Sequence, residues 1–535
     1  MCKRLLMICL GLCAGMYTAK AQNINPSTLS AKDSIAQSVR FSKDFPSGAL
    51  GRVEFIDAQK MLVARGDTVW HLSYNVYSPM DPLNPIDTTL EPSGRWFYFR
   101  MEGVKNKHIY LNFFQTDPVR PMFSYDGKHF ERLEAGSADR RKVSKRFSRD
   151  TVYLAYFTPY TYDFLQERIR SWQAGGNVID LDTIGYSVRN KPLQLLTITD
   201  PSVPEAQKLR IYIHGRIHTS ETPASWHLDG LIEALQANTP QAAAYRRQMV
   251  FYILPFTNPD GVEEGLSRSN VLGVNLEINY DRPDSLTMPE VRAIKAKLSE
   301  LMAERPLDMV LNMHSQVASM LTYWVHTVKG SSALYFRQQL LLANLSMFQV
   351  PAFAKSNLSF ADGGSRYVEG WIWNQVQERT LAITYETPYT YYALNPAADW
   401  VSTQNLQGIG GQLLDAIGDY YGLSVPERYI LQPEKVNKKH WVAESRDDKV
   451  FIGEAYYLPQ RPQAKLAYQM ENLPAGDYQL FRWVVGDAVE SSPEGSNDWV
   501  WVENIRHKAG GKFSYTVIAD GRPENAIMLL PVVKK

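Results

Sequence analysis

The stretch 211–227, IYIHGRIHTSETPASWH, opens as an apolar strand that breaks at Gly215. It then sets His218 three residues before Glu221 and follows at once with Thr222 and Pro223. Thr then Pro is a helix start, with the threonine as N-cap and the proline as first helical residue. Ala224, Leu228, Leu231, Ile232 and Leu235 supply the buried stripe of that helix. His218 and Glu221 are therefore expected between a strand end and a packed helix, the rigidity a metal site needs. His214 and His227 flank the pair without repeating its spacing and read as structural residues, one on the strand and one on the helix. An H-x-x-E pair alone is common on ordinary loops, so its meaning depends on partners elsewhere.

Those partners lie at other strand ends. From about 161 to 423, strand-like runs (PLQLLTIT, LRIYIHG, MVFYILPF, LDMVLNMH, RTLAITYE) alternate with helical ones at 223–236, 288–304, 333–347 and 406–421. This alternation predicts an α/β sheet, largely parallel, with helices on both faces. Ligands bind such sheets beyond the carboxyl ends of the strands. LDMVLNMH ends on His314, TLAITYE ends on Glu386, and Arg268 follows the turn after VFYILPFTNPDG. Two histidines and one carboxylate with an open fourth position suit a catalytic zinc.

Short alternating segments separated by Gly, Pro and Asp-Gly pairs run from about 47 to 156, and again from about 429 to 535. Both regions read as antiparallel β, the second sandwich-like. The expected division is a signal peptide at 1–21, an N-terminal β domain at 22–160, the α/β domain at 161–424 and a C-terminal β domain at 425–535. No repeat or low-complexity tract is present.

The start, MCKRLLMICLGLCAGMYTAKAQ, has basic Lys3 and Arg4, a short apolar run, and small Ala19 and Ala21 before Gln22. That is the pattern of a cleaved signal peptide, too short for an anchor, and predicts secretion or a periplasmic location with cleavage near Ala21. All three cysteines (Cys2, Cys9, Cys13) lie there, so a thiolate zinc site or a cysteine nucleophile is excluded from the mature chain. Taking Lys3, Arg4 and Lys20 from 57 basic residues leaves 54 against 56 acidic, a net charge of −2. That balance gives no electrostatic case for nucleic acid. No stable membrane anchor is expected. Trp499 and Trp501 raise carbohydrate contact by the C-terminal domain as a further idea; two tryptophans so spaced are more often core.

HGRIHTSET, PFTNPDGVEEGLSRSNVLGVNLEINY, LNMHS and ITYET, in this order, resemble the successive motifs of the zinc carboxypeptidase family, and within it the cytosolic-carboxypeptidase-like branch. IGYSVRNKPLQLLTIT resembles the start of that branch's catalytic domain. WFYFRMEGVKNKHIYLNFF, PMFSYDG and YLAYFTPYTYDFL resemble its preceding β domain. The likeness spans roughly 95–423 and leaves out the C-terminal region. It implies one zinc per chain held by His218, Glu221 and His314, with Glu386 as general acid/base and Arg268 polarising the scissile carbonyl.

One motif departs. The family usually reads G-x-D-L-N-R-N where this chain has GVNLEINY, so its Asn-Arg pair falls on Glu277 and Ile278. In carboxypeptidases that pair grips the substrate's terminal carboxylate; isoleucine cannot do so, and an anion repels it. Glu277 could instead pair with Arg282, which could also restore a clamp. The tyrosine on the substrate side is open among Tyr367, Tyr389, Tyr391 and Tyr392, with Phe360 nearby. The expected activity is hydrolysis of a peptide or amide bond with altered C-terminal recognition. The alternatives are a deacylase or amidase acting on a small amide, and a zinc-retaining binding protein without turnover.

Overall fold

The computed structural model describes residues 31–62, 68–176, 179–350, 352–353, 357–362, 364–392, 399–433, 435–445, 451–453, 455–484, 498–508 and 511–532. The expected signal peptide lies outside the described residues. Among the described residues no helix is long and apolar enough to cross a membrane.

The centre is an eight-stranded sheet. Its strands are β1 (Ile179–Tyr186), β2 (Pro192–Ile198), β3 (Leu209–Gly215), β4 (Met249–Leu254), β5 (Met309–Gln316), β6 (Thr322–His326), β7 (Leu358–Ala361) and β8 (Leu381–Pro388). The spatial order is β1-β2-β4-β3-β5-β8-β6-β7. Four neighbouring pairs are parallel: β3 with β4, β3 with β5, β5 with β8, and β6 with β7. The rest are antiparallel. The sheet is thus mixed, with a parallel centre where the sequence has its longest apolar runs. β4 is buried at every residue, as a strand covered on both faces must be.

Helices α1 (Thr222–Gln236), α2 (Pro289–Met302), α3 (Ala333–Gln349), α4 (Val368–Val376) and α5 (Thr403–Tyr420) pack on that sheet. Two apolar clusters divide them between its faces. Leu228 and Leu231 of α1 and Leu413 of α5 lie with Ile211, Ile213 and Leu311. Val291 and Ile294 of α2 and Ile372 of α4 lie with Tyr212 and Val310. Alternate residues of β3 and β5 therefore serve opposite helix layers.

Before residue 160 two five-stranded sheets face each other. Phe97, at the start of one, stacks on Phe113 of the other with ring centroids 4.6 Å apart. One pair departs from the expected antiparallel pattern: Thr68–Tyr77 runs parallel to Lys107–Phe114. The chain between them visits the other sheet as Tyr98–Glu102 and returns, and a crossover of that length permits parallel pairing. After residue 428 the described strands form a six-stranded antiparallel sheet and a separate two-stranded one. Trp441, Tyr468, Leu480 and Leu529 belong to their own core. Trp499 is buried edge-on against Trp483, while Trp501 is exposed, so the two do not form a joint platform.

Candidate metal centre and active site

β3 is the switch point of the sheet, because the chain later adds β4 on one side of it and β5 on the other. The crevice beyond its carboxyl end is where such a fold can hold a ligand. The turn there is fixed by Arg216, a buried residue with φ of 55°. Its guanidinium donates to the carbonyls of Thr219 and Tyr160 and to Ser225 Oγ, at 2.8–3.1 Å. Four hydrogen bonds hold a conformation that a side chain otherwise disfavours.

Glu221, not Thr222, is the N-cap of α1, and its side chain makes no capping bond. The carboxylate has other partners. Oε1 lies 2.9 Å from His218 Nδ1 and Oε2 lies 2.9 Å from His314 Nδ1. Oε2 also accepts the Ser315 N–H at 3.0 Å. The free amide of Ala224 at the helix start donates instead to Ser315 Oγ on β5. The helix is therefore capped by a neighbouring strand, which leaves Glu221 to the site.

His314 and Glu386 are register partners on adjacent parallel strands, which places both at one mouth of the sheet. Glu277 closes the other side of the histidines. Its Oε2 is 3.1 Å from His218 Nε2 and 3.0 Å from Arg268 Nη2, and its Oε1 is 3.6 Å from His314 Nε2. Glu277 thus pairs with Arg268 and not with Arg282.

Two carboxylates flank the histidines. His218, Glu277 and His314 have ligand atoms within 4.8 Å of one another, whereas Glu221 touches the opposite ring nitrogens more closely. Hydrogen-bond chemistry favours Glu221 as the ligand. Asn275 Oδ1 accepts the Glu277 N–H at 3.1 Å, which fixes the amide with its oxygen towards His218 Nε2, 3.2 Å away. His218 Nε2 must then be the donor, and in a neutral ring Nδ1 carries the lone pair. That lone pair faces a carboxylate oxygen at 2.9 Å, an arrangement that needs a cation between them. His314 Nε2 makes no hydrogen bond, and its Nδ1 faces the same carboxylate at 2.9 Å. Two imidazole nitrogens and a carboxylate are a donor set that fits zinc.

The electrostatics agree. Burial alone would discharge His314, but Glu221 and Glu277 outweigh it and push it up to about 10, so the cluster attracts positive charge. Burial would raise Glu221 and Glu277 too, yet the histidines hold both below the usual carboxylate range. Glu386 behaves oppositely. Burial, aided by the other two carboxylates, pushes it up to about 7. Trp324 Nε1 donates to its Oε1 at 3.3 Å and its Oε2 has no partner.

His218, Glu221, Arg268, Glu277 and Glu386 line a cavity of about 300 Å³ with Arg95, Trp324, Tyr367 and Glu369. Of the tyrosines considered, Tyr367 lines it. Tyr389 is buried, Tyr392 is buried and donates to Asn405, and Tyr391 is half exposed. Phe360, Ile278 and Arg282 are not among the lining residues. His214 and His227 are fully buried, and desolvation lowers each to about 3, which keeps them neutral.

Sequence reasoning missed the contribution of the first β region. Asp81 accepts the backbone N–H groups of Ser267, Arg268 and Ser269 at 2.7–2.9 Å and so sets the position of Arg268. Arg95 reaches the cavity beside Tyr389, its guanidinium 5.9 Å from the ring centroid. Neither has a local signal, because both act on residues far away in sequence. Asn275 did have one, since it occupies the family's Asp position in GVNLEINY.

Comparison with known proteins agrees with this geometry. The zinc carboxypeptidase family model matches residues 169–437, half of the chain. Cytosolic carboxypeptidase 6 of Homo sapiens is 26% identical over 445 residues, 76% of this chain and 84% of that protein. Cytosolic carboxypeptidase 1 of Mus musculus is 28% identical over 332 residues, 50% of this chain and 27% of that protein. A metallo-carboxypeptidase from Burkholderia cenocepacia shares the fold, with a TM-score of 0.59 at 20% identity over 71% of this chain and 97% of that one. The chain belongs to the zinc carboxypeptidase family. It is a zinc metallopeptidase, and its cofactor is zinc.

Proposed function

We propose that the enzyme hydrolyses a peptide or amide bond without gripping a free C-terminal carboxylate. The observation that carries this reading is Glu277, a largely buried carboxylate facing the cavity where relatives of this family are expected to offer a carboxylate clamp. His218, Glu221 and His314 would hold the zinc. When bound, zinc at such a site acts as a Lewis acid towards water and a substrate carbonyl.

The remaining chemistry belongs to the chain. Glu386, with one free oxygen and a pKa near neutrality, can take a proton from water and return it to the leaving amine. Arg268 is held by Glu277 through one nitrogen, and its side chain is 42% exposed. Its remaining donors can meet a carbonyl oxygen as negative charge develops there. Glu277 lowers the positive potential of that arginine towards a second carboxylate, so a terminal carboxylate gains nothing from it. We place the mature enzyme outside the cytoplasm, on the pattern of its first 21 residues.

The test is a mass-spectrometric scan of matched peptides with free, amidated and extended C-termini. Cleavage of amidated or extended peptides at least as efficient as that of free ones is the expected result. Release of single residues from free termini alone would make this an ordinary carboxypeptidase. Zinc content without hydrolysis of any amide in the panel would favour a binding protein.

A further inference from the structure

One sheet before residue 160 carries an outward face of uncommon composition. On its neighbouring strands Thr68–Tyr77 and Lys107–Phe114, Leu72, Tyr74, Ile109 and Leu111 belong to the core. The alternate residues point the other way and stand in register: His71 beside His108, Ser73 beside Tyr110, Asn75 beside Asn112, and Tyr77 beside Phe114. The solvated face of a sheet ordinarily carries many charged side chains, yet these rungs hold no lysine, arginine, aspartate or glutamate. Rings gather at both ends instead. His108 stacks on His71 with centroids 4.8 Å apart and on Tyr110 at 4.6 Å. Tyr77 stacks on Phe114 at 4.9 Å, and Phe114 is 40% exposed. The two ends lie about 20 Å apart along the strand, at about 3.3 Å per residue. Between them Asn112 Nδ2 donates to Asn75 Oδ1 at 3.3 Å.

A cavity of about 190 Å³ adjoins the first ring stack. His71, Ser73 and Tyr110 line it on one side, and Asp57, Gln59 and Met61 of the adjoining strand Val53–Leu62 on the other. Gln59 is the register partner of His71, and His108 does not line the cavity, so the cavity lies beyond His71 and prolongs the stack. Its walls are held in place. His71 Nδ1 lies 3.0 Å from the Tyr110 hydroxyl, and Gln59 Nε2 donates to Asp57 Oδ2 at 2.8 Å. The Gln59 carbonyl, the Asp57 carboxylate and the Ser73 hydroxyl supply further acceptors and a donor. A flat ring on one wall, a thioether on the other and hydrogen-bonding groups at the rim complement a sugar ring, apolar on its faces and hydroxylated around its edge. A nucleobase would need this slot alone. The amide rung and the far aromatic pair extend the match to a chain of rings, and the lack of basic groups on the rungs gives an anionic chain nothing to pair with.

We propose that this face binds a neutral glycan chain, with one sugar ring in the cavity against His71 and the chain running along the strands towards Phe114. The site is separate from the chemistry: its cavity shares no lining residue with the one at Glu386. It would hold the enzyme near a carbohydrate-bearing surface and take no part in hydrolysis.

The test is an array of neutral and acidic oligosaccharides probed with the intact zinc-loaded enzyme, with calorimetry on cellohexaose, mannohexaose and N-acetylchitohexaose. Neutral chains should be retained over acidic ones, and a retained hexasaccharide should bind more tightly than its monosaccharide. His71→Ala and Gln59→Ala should each weaken that binding at least about tenfold, the scale of a lost ring contact with its hydrogen bond. His71→Phe, which keeps a flat ring, should weaken it less than His71→Ala. In all three variants kcat/KM for a short peptide should stay as in the wild type, a readout that general unfolding would move. Retention of no neutral glycan by the wild type overturns the proposal whatever the variants do. So does retention that survives His71→Ala and Gln59→Ala but is lost in Trp501→Ala, which would place the contact in the C-terminal region. Adenosine bound more tightly than every hexasaccharide would assign the slot to a nucleobase. A concentration-dependent dimer abolished by His71→Ala would assign the face to a second copy of the chain, and either result overturns the glycan.

Discussion

The cavity has two sides, and they treat charge differently. On the hydrolytic side, His218, Glu221 and His314 converge and Glu386 stands beside them with burial pushing its pKa to about 7. Each group there is held by an element that can hardly move: the Arg216-locked turn, the capped start of α1, and two hydrogen-bonded strands. On the other side, Glu277 is held ionised by the histidines and Arg268, while Glu369 accepts hydrogen bonds from Asn312 and Thr384. Chemistry at a metal needs a fixed donor set, so the first side follows the family pattern. Recognition needs only a complement to one substrate, and on that proposed side the chain has Glu277 and Ile278 where the family motif has Asn-Arg. What a carboxylate does here depends less on its burial than on which cation stands next to it.

The hydrolytic side should fail completely when broken. His314→Ala should reduce zinc from about one per chain to a small fraction, read by elemental analysis. The choice between the two flanking carboxylates is checked in the same way. Glu221→Gln should lose zinc, whereas Glu277→Gln should keep it. The reverse pattern would move the metal to the Nε2 side of the histidines. Glu386→Gln should keep zinc and fold but lose at least about 10²-fold in kcat, as expected for a positioned acid/base. Near-normal turnover in that variant would remove Glu386 from its role.

This asymmetry also decides what could be read from sequence. The hydrolytic side was legible because each of its residues ends a strand or opens a helix, where periodicity and the Thr-Pro start mark the place. His218, Glu221, His314 and Glu386 are brought together as the strand-end reading expected. The one-residue shift of the N-cap escaped because Glu221 is held by tertiary partners that local propensity cannot represent. Strands β1, β6 and β7 were missed for the same kind of reason: they are short or polar and owe their pairing to the sheet edges. The recognition side was half legible. Glu277 and Ile278 stood out against the family motif, but the partner of Glu277 was Arg268 and not the sequence-near Arg282. Asp81, Arg95 and Glu369 act through contacts distant in sequence, and no local pattern announces them.

A third buried carboxylate sharpens the contrast, because it has neither histidines nor an arginine. Glu290, fully buried near the start of α2, accepts the Val188 N–H at 3.3 Å and has an unpartnered Oε2. Burial pushes its pKa up to about 7. The folded protein therefore keeps this proton over a range in which the unfolded chain, with glutamate near 4.3, has lost it. The stabilisation is present below that lower value and is lost as pH rises through about 7, a loss on the order of 3–4 kcal/mol. Glu290→Gln should remove this dependence, so the variant should gain on the wild type in melting temperature between pH 5 and 8. A difference between the two proteins that does not change with pH would mean that Glu290 is compensated in the fold.

The smallest expected effect bears directly on recognition. Glu277 is ionised and shares Arg268, so a substrate carboxylate entering this side meets one anion and a half-neutralised cation. Replacing Glu277 with glutamine removes the repulsion and frees the guanidinium, while the amide can still accept from Arg268. Use of free-carboxylate peptides, as kcat/KM, should rise by about tenfold, the equivalent of about 1.4 kcal/mol, with amidated peptides less affected. Ile278→Arg added to Glu277→Asn should raise it further only if the loop turns the new side chain inward, since Ile278 does not line the cavity. Arg282 stands outside the cavity as well, yet it is close enough in sequence to swing in and restore a clamp when a carboxylate arrives. If the wild type already prefers free C-terminal carboxylates and Arg282→Ala abolishes that preference, then recognition follows the family after all, with its arginine supplied from a different position on the same loop.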